Sequence, residues 1–187
     1  MRVISGSARG TKLNSIESEA TRPTLDRVKE SLFNIIQHKI EDATVLDLFA
    51  GSGAIGIETL SRKAKVAYFC ENNREAINMV YKNLQKTNLT DKAVVMNTDY
   101  KKCLQKLSDE NIKFDLVYID PPYRLNIAVD SVRTILKLDL LLMDGIIIIE
   151  TDDKERELLE LEKMKIIDVY DIRKYGRVSL LFLRRKE

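Results

Sequence analysis

The sequence predicts an α/β protein with a Rossmann-like, mostly parallel and doubly wound sheet, on three observations. Short apolar runs alternate with amphipathic helical stretches through the middle of the chain; one run, Ile146-Ile147-Ile148-Ile149, is apolar on both faces; and a glycine turn, Gly51-Ser52-Gly53-Ala54-Ile55-Gly56, follows the first of them. Strand and helix in alternation imply parallel strands, because a right-handed helical crossover returns the chain to the same edge of the sheet. A parallel strand is covered on both faces, so it reads as an unbroken apolar run. The length of 187 residues suits a single domain with a sizeable core, and 44% hydrophobic with 32% charged content is ordinary for a globular chain.

Taken in order, the elements begin with Val3-Ile4 and Thr11-Lys12-Leu13, two short strands expected on either side of a flexible loop, Ser5-Gly6-Ser7-Ala8-Arg9-Gly10, with Arg9 near its tip. A helix follows, with Thr24 as N-cap and Leu25, Val28, Leu32, Phe33, Ile36 and Ile40 as its buried stripe. Arg22, Arg27 and Lys29 lie at its start or off that stripe, free to reach a phosphate. Strands are expected over 44–48, 66–70, 93–97, 115–119 and 145–150, separated by helices near 54–63, 74–87, 99–108, 125–137 and 153–161. Runs over 166–172 and 178–183, around Tyr175-Gly176, close the chain as an antiparallel hairpin on the sheet edge. The chain thus divides into an N-terminal extension, 1–40, and a core, 41–187, within one domain.

Composition narrows the function. The longest apolar run is far too short to span a bilayer and the basic N-terminus lacks the apolar stretch of a signal peptide, so the expected location is the cytoplasm. Two cysteines, Cys70 and Cys103, and one histidine, His38, make neither a disulfide framework nor a metal ligand set, and each cysteine reads as a small buried hydrophobe. The net charge of +2 is unevenly spread. Residues 1–16 carry Arg2, Arg9 and Lys12 with no acid, and the closing segment carries Arg173, Lys174, Arg177, Arg184, Arg185 and Lys186. Both ends suit a polyanion, although a basic run is often only a solvated face.

The most informative motif is Asp120-Pro121-Pro122-Tyr123, straight after the apolar run 114–119. Two prolines fix φ, remove two N–H donors and push the preceding residues out of the helical region, which leaves carbonyls there free to accept. A carboxylate, a carbonyl and an aromatic face at one spot match a flat base bearing an exocyclic amine. Such an amine is a poor nucleophile because its lone pair is delocalised into the ring. Acceptors on both N–H bonds, from Asp120 and the Pro121 carbonyl, favour the charge that develops as nitrogen pyramidalises.

Gly51, Gly53 and Gly56 spell the dinucleotide fingerprint between a strand and a helix. Asp47 projects from the strand end into the same region, where a carboxylate would repel a pyrophosphate. S-Adenosylmethionine, with a sulfonium, an ammonium and no phosphate, fits better than NAD. Asp47 would serve its amino-acid portion, Glu71 both ribose hydroxyls and Asp99 the adenine amine. Each has a plainer reading: an Asp capping its own turn, a Glu at a strand end, an Asp capping the next helix.

Asp47-Leu48-Phe49-Ala50-Gly51-Ser52-Gly53 together with Asp120-Pro121-Pro122-Tyr123 resembles an S-adenosylmethionine-dependent methyltransferase of amino groups. The N-terminal strings Arg2-Val3-Ile4-Ser5-Gly6-Ser7-Ala8-Arg9-Gly10 and Thr21-Arg22-Pro23-Thr24-Leu25-Asp26-Arg27-Val28-Lys29-Glu30-Ser31-Leu32-Phe33-Asn34 are similar to the RsmD family. The resemblance implies methylation of guanine N2 in 16S ribosomal RNA, free or in an assembling small subunit, by a monomer that needs no metal. It implies a catalytic set of Asp120, Pro121, Pro122 and Tyr123, and a cofactor set of Thr24, Asp47, Phe49, Gly51, Ser52, Gly53, Glu71, Asn72, Asp99 and Tyr100. RNA contacts fall to Arg2, Arg9, Arg22 and Arg27 in the extension. An amino-methyltransferase of another RNA, or of DNA adenine or cytosine, would share the Asp-Pro-Pro-Tyr site, although the DNA enzymes need a larger recognition region, and a dehydrogenase stays open through the glycines alone.

Overall fold

A computed structural model describes residues 1–15, 22–122 and 127–186, with the backbone alone for 22–25. Among these residues seven strands, β1 (Thr44–Asp47), β2 (Val66–Glu71), β3 (Ala93–Asn97), β4 (Phe114–Ile119), β5 (Leu141–Thr151), β6 (Ile167–Tyr175) and β7 (Val178–Arg185), form one sheet in the order β3-β2-β1-β4-β5-β7-β6. The first five in that order pair in parallel; β7 is antiparallel to both β5 and β6. The chain therefore winds outward from β1 to β3, crosses back to β4 beside β1, and winds the other way. Between β1 and β4 the direction reverses, and the crevice outside their carboxyl ends is where open α/β sheets bind ligands.

Among the described residues six α-helices cover both faces: α1 (Arg22–Ile36), α2 (Ala54–Ser61), α3 (Arg74–Thr87), α4 (Tyr100–Asp109), α5 (Ile127–Lys137) and α6 (Lys154–Leu161). One core joins α1, α2 and α3 to the sheet through Leu32, Phe33, Ile57, Val80, Phe69 and Ile148. The other joins α4, α5 and α6 through Leu104, Val132, Leu161, Val117 and Ile147. Alternate residues of each strand serve opposite cores, as the pleat requires. Each fully buried aliphatic or aromatic side chain contributes about 1.5–3 kcal/mol. Among the described residues no helix is long and apolar enough to cross a membrane.

The N-terminal segment departs from expectation in four respects. The two short strands reduce to one antiparallel bridge, Arg2 with Lys12. Their loop is tied down: Ile4 and Ser5 N–H donate to Glu58 at 2.8 and 3.0 Å, Ser7 N–H to the Ser61 carbonyl at 2.8 Å, and Ala8 N–H to Ser61 Oγ at 2.9 Å. Gly6 makes this docking possible, since a Cβ there would sit 1.7 Å from the Ser61 carbonyl oxygen and its φ is +85°. Helix α1 starts at Arg22, so Thr24 lies inside its first turn and does not cap it; Pro23, with its fixed φ and missing N–H, fits that first turn. Lys29 is not free for phosphate. It is buried, donates to the Arg2 carbonyl at 2.6 Å and pairs with Glu58 at 3.3 Å. Burial pushes the Lys29 ammonium below its usual range, and the Glu58 carboxylate opposes that shift.

Both cysteines are buried thiols, and the Cys103 thiol together with burial pushes Cys70 up, away from thiolate chemistry.

Candidate active site

Four strand ends and one helix start place a row of acids along the carboxyl edge of the sheet. Glu71 ends β2, Asp47 ends β1, Asp120 follows β4, and Glu150 lies at the end of β5 next to Thr151. Asp99, past β3, begins α4. Adjacent strands are in register there: Asp47 is level with Phe69 and Tyr118, and Ile119 with Ile149. A cavity of ≈260 Å³ opens at the switch between β1 and β4, and Asp47, Phe49, Ala50, Asp120, Tyr118 and Glu150 are among its walls. Gly51 and Ser52 from the glycine turn, and Val28 and Lys29 from α1, also line it.

Asp47 is buried at the heart of this edge. Its Oδ2 accepts Gly56 N–H at 3.1 Å, so it does tie down the first turn of α2. That bond offsets little. Burial, with the Glu71 carboxylate adding to it, raises Asp47 from 3.8 to about 7. At neutral pH the residue stands near half protonation, ready to ionise fully when a cation arrives.

The glycines each have a physical reason. Gly51 and Gly53 sit at φ +53° and +78°, the left-handed region, with Gly53 as N-cap of α2. Gly56 is helical, but a Cβ there would lie 2.3 Å from the Phe69 ring, so α2 packs on β2 only with glycine at that point. Glu71 clamps the turn: Oε2 accepts Gly51 N–H at 2.9 Å, and Oε1 accepts Asn72 and Asn73 N–H at 2.8 Å each. Three of its roughly four acceptor positions are thus occupied, leaving room for one further hydroxyl and not two. Asp99 caps α4, accepting Lys101 N–H at 2.9 Å through Oδ1. Asn72 is exposed. Phe49 and Tyr100 meet with ring centroids 5.4 Å apart, which joins the strand-end loop of β1 to the start of α4.

Asp120 is half-buried, Pro121 buried and Pro122 exposed. Among the described residues no N–H donates to the Pro121 carbonyl. Tyr123 lies outside the described residues, as do the side chains of Thr24 and Arg22. Arg2, Arg9 and Arg27 are exposed; Arg2 and Arg9 border a shallow pocket with Asp26 and Glu30 of α1. The structure therefore brings Asp47, Phe49, Gly51, Ser52 and Asp120 to one cavity and sets Glu71, Asp99 and Tyr100 at the neighbouring strand ends.

Of the cavity residues that escaped the sequence reading, Tyr118 and Glu150 bear on its chemistry. The Tyr118 hydroxyl donates to Glu150 Oε2, and burial with the Glu150 charge holds that phenol well above its usual value. Glu150 carried a usable signal: it is an acid at the end of an apolar strand, the feature that singled out Asp47, Glu71 and Asp120. Tyr118 carried none, since an aromatic inside a strand run reads as core.

A family model described as conserved hypothetical protein 95 matches residues 1–184. The chain is 39% identical over 160 residues to the putative rRNA methyltransferase YlbH of Bacillus subtilis, covering 86% of each chain. It is 36% identical over 168 residues to the ribosomal RNA small subunit methyltransferase D of Haemophilus influenzae, covering 89% of this chain and 86% of that one. Among solved structures, the putative methyltransferase yhhF from Escherichia coli matches with a TM-score of 0.83 at 30% identity, over 100% of this chain and 98% of that chain.

Proposed function

The chain belongs to the conserved hypothetical protein 95 family, the RsmD family, and on that premise we propose that it transfers a methyl group from S-adenosylmethionine to the N2 amine of a guanine in 16S ribosomal RNA. The observation that carries this reading is the shared cavity at the β1/β4 switch, with Asp47 on one wall and Asp120 on another. A donor set of carboxylates fits a ligand bearing an ammonium, a sulfonium and ribose hydroxyls. It opposes the pyrophosphate of a dinucleotide, which would meet Asp47, Asp120 and Glu150 on the cavity wall, where Lys29 is already paired with Glu58.

S-Adenosylmethionine, when bound, supplies a methyl group on a positively charged sulfur. Asp47 would hold its ammonium, Glu71 one ribose hydroxyl, Asp99 the adenine amine, with Phe49 and Tyr100 as apolar walls and the Gly51 to Gly53 turn allowing close approach. The target base enters beside Pro121. Asp120 and the Pro121 carbonyl accept the two N–H bonds of the amine, localising its lone pair, and Asp120 takes up the proton released once nitrogen is alkylated. Tyr123 is the ring assigned to stack on the base. Orientation of the two reactants is worth on the order of 7–11 kcal/mol of the barrier, which needs neither a covalent intermediate nor a metal. Because a guanine amine would be hydrogen-bonded inside a paired helix, the target guanine must be unpaired or flipped out.

The test is to incubate the protein with methyl-labelled S-adenosylmethionine and either naked 16S RNA or small-subunit particles lacking the modification, then digest to nucleosides. Label in N2-methylguanosine is expected. Label in another nucleoside, or none in RNA, overturns the assignment.

A further inference from the structure

The basic hairpin tip between β6 and β7 has no role in the site described above, and its position gives it one. The pairs Thr151 with Ser179 and Tyr175 with Val178 put the turn at the carboxyl edge of the sheet, just beyond the end of β5. Glu150 of the cavity wall is one residue from that end, and two strand spacings make about 10 Å. Gly176, at φ +63°, makes the turn tight and leaves Lys174 and Arg177 exposed on its two arms.

The tip is braced against α1. Tyr175 packs on the core that holds α1, and its hydroxyl shares a hydrogen bond with Ser31 Oγ. Arg27 lies one helical turn before Ser31 on the same face, toward the active-site edge. The acids of α1, Asp26 and Glu30, border the Arg2 and Arg9 pocket on the other flank. Among the described residues Arg27, Lys174 and Arg177 form no ion pair. Arg173 pairs with Asp171. Arg27 and Arg177 thus stand on the α1 side of this edge, while Lys174, which alternates with Tyr175 along β6, projects from the opposite face of the same hairpin tip.

We propose that this rim, the β6–β7 tip braced on α1, is a second phosphate-binding arm for the single-stranded RNA that flanks the target nucleotide. The inference rests on the RNA reading above. The N-terminal loop, with Arg2 and Arg9, holds the chain on one side of the base, and Arg27, Lys174 and Arg177 hold it on the other. A polyanion fits because exposed, unpaired guanidinium and ammonium groups gain by releasing its counterions.

The test compares K174Q/R177Q with R2Q/R9Q and the unmodified protein, all full length. Binding of a single-stranded oligonucleotide carrying the target sequence is measured across a salt series, with S-adenosylmethionine affinity and thermal midpoint measured on the same samples. Each lost phosphate contact flattens the log–log salt slope by about 0.7, equivalent to about 5-fold in affinity at 0.1 M salt per contact. K174Q/R177Q is therefore expected to lose about 25-fold at 0.1 M salt, with the midpoint and cofactor affinity intact. If R2Q/R9Q weakens RNA binding while K174Q/R177Q matches the unmodified protein, the hairpin arm is wrong and the RNA reading stands. If K174Q/R177Q keeps oligonucleotide affinity but loses methylation of small-subunit particles, the tip meets a protein and the RNA assignment of the arm fails. If the unmodified protein binds no RNA, both fall.

Discussion

Replacing Asp47 by Asn should convert a pH-dependent cofactor site into a pH-independent one. In the free protein Asp47 titrates at about 7 because it is buried and faces Glu71. An ammonium placed against it would return its pKa toward the ordinary carboxylate value near 4. Below pH 7 binding must then expel a proton, and affinity falls tenfold per unit. Between pH 8 and pH 5 the loss is about a hundredfold, or about 2.7 kcal/mol. Calorimetric titration of S-adenosylmethionine over that range, in buffers of different ionisation enthalpy, should also show about half a proton released at pH 7. The same shift has a folding consequence. A carboxyl whose folded pKa lies above its unfolded value contributes stability that is complete below about pH 4 and is lost as pH rises through 7. The rise from 3.8 to about 7 corresponds to about 4 kcal/mol at most, so D47N, which keeps an acceptor for Gly56 N–H, should raise the thermal midpoint of the cofactor-free protein at pH 8 while weakening cofactor binding there. Affinity that is flat from pH 5 to 8 would refute the reasoning, as would a D47N protein that keeps the full pH dependence.

Three further perturbations test the scaffold. Glu71→Ala removes a group that clamps Gly51, Asn72 and Asn73, and should weaken S-adenosylmethionine binding by about 1.5–3 kcal/mol; affinity within twofold of the unmodified protein would remove Glu71 from the site. Gly56→Ala drives a methyl into the Phe69 ring and should cost about 1–3 kcal/mol in denaturant unfolding, with Phe69→Leu restoring part of it; an unchanged midpoint would show that α2 can shift without cost. Lys29→Met leaves buried Glu58 with Arg62 as its remaining cationic partner and should destabilise by up to about 3–5 kcal/mol; a loss under 1 kcal/mol would mean that the pair is dispensable for docking the N-terminal loop.

The sheet was legible because its signals are local. Apolar runs such as 146–149 and the helical stripe of α1 report burial directly, and the glycine turn and the double proline fix backbone geometry wherever they occur. What the sequence left open depends on long-range partners. Lys29 lies off the apolar stripe and reads as a surface cation, yet Glu58, far along the chain on α2, draws it into the core. Val3-Ile4 and Thr11-Lys12-Leu13 have strand composition, but Ile4 N–H turns to Glu58 and the loop between them docks on Ser61, so among the described residues they form one bridge. Thr24 looked like a cap because threonine favours that place, whereas Pro23 is equally suited to a helix that has already begun. Within the site, Asp47 and Glu71 stand out beside the glycine turn and Asp120 beside the double proline, each at a strand end. Glu150 also lies at a strand end, but no motif surrounds it.

Division of labour within one cavity, Asp47 for the methyl donor and Asp120 for the accepting amine, is tested most directly by single-turnover transfer to unmodified small-subunit particles at saturating S-adenosylmethionine. Asp120→Ala, measured beside the unmodified protein, should keep cofactor affinity within about twofold while the rate constant for N2-methylguanosine formation falls by about 10²–10³, the scale for losing one group that acts in the transition state. An Asp120→Ala protein that forms N2-methylguanosine at the unmodified rate, or that loses rate only in proportion to lost cofactor binding, would contradict it.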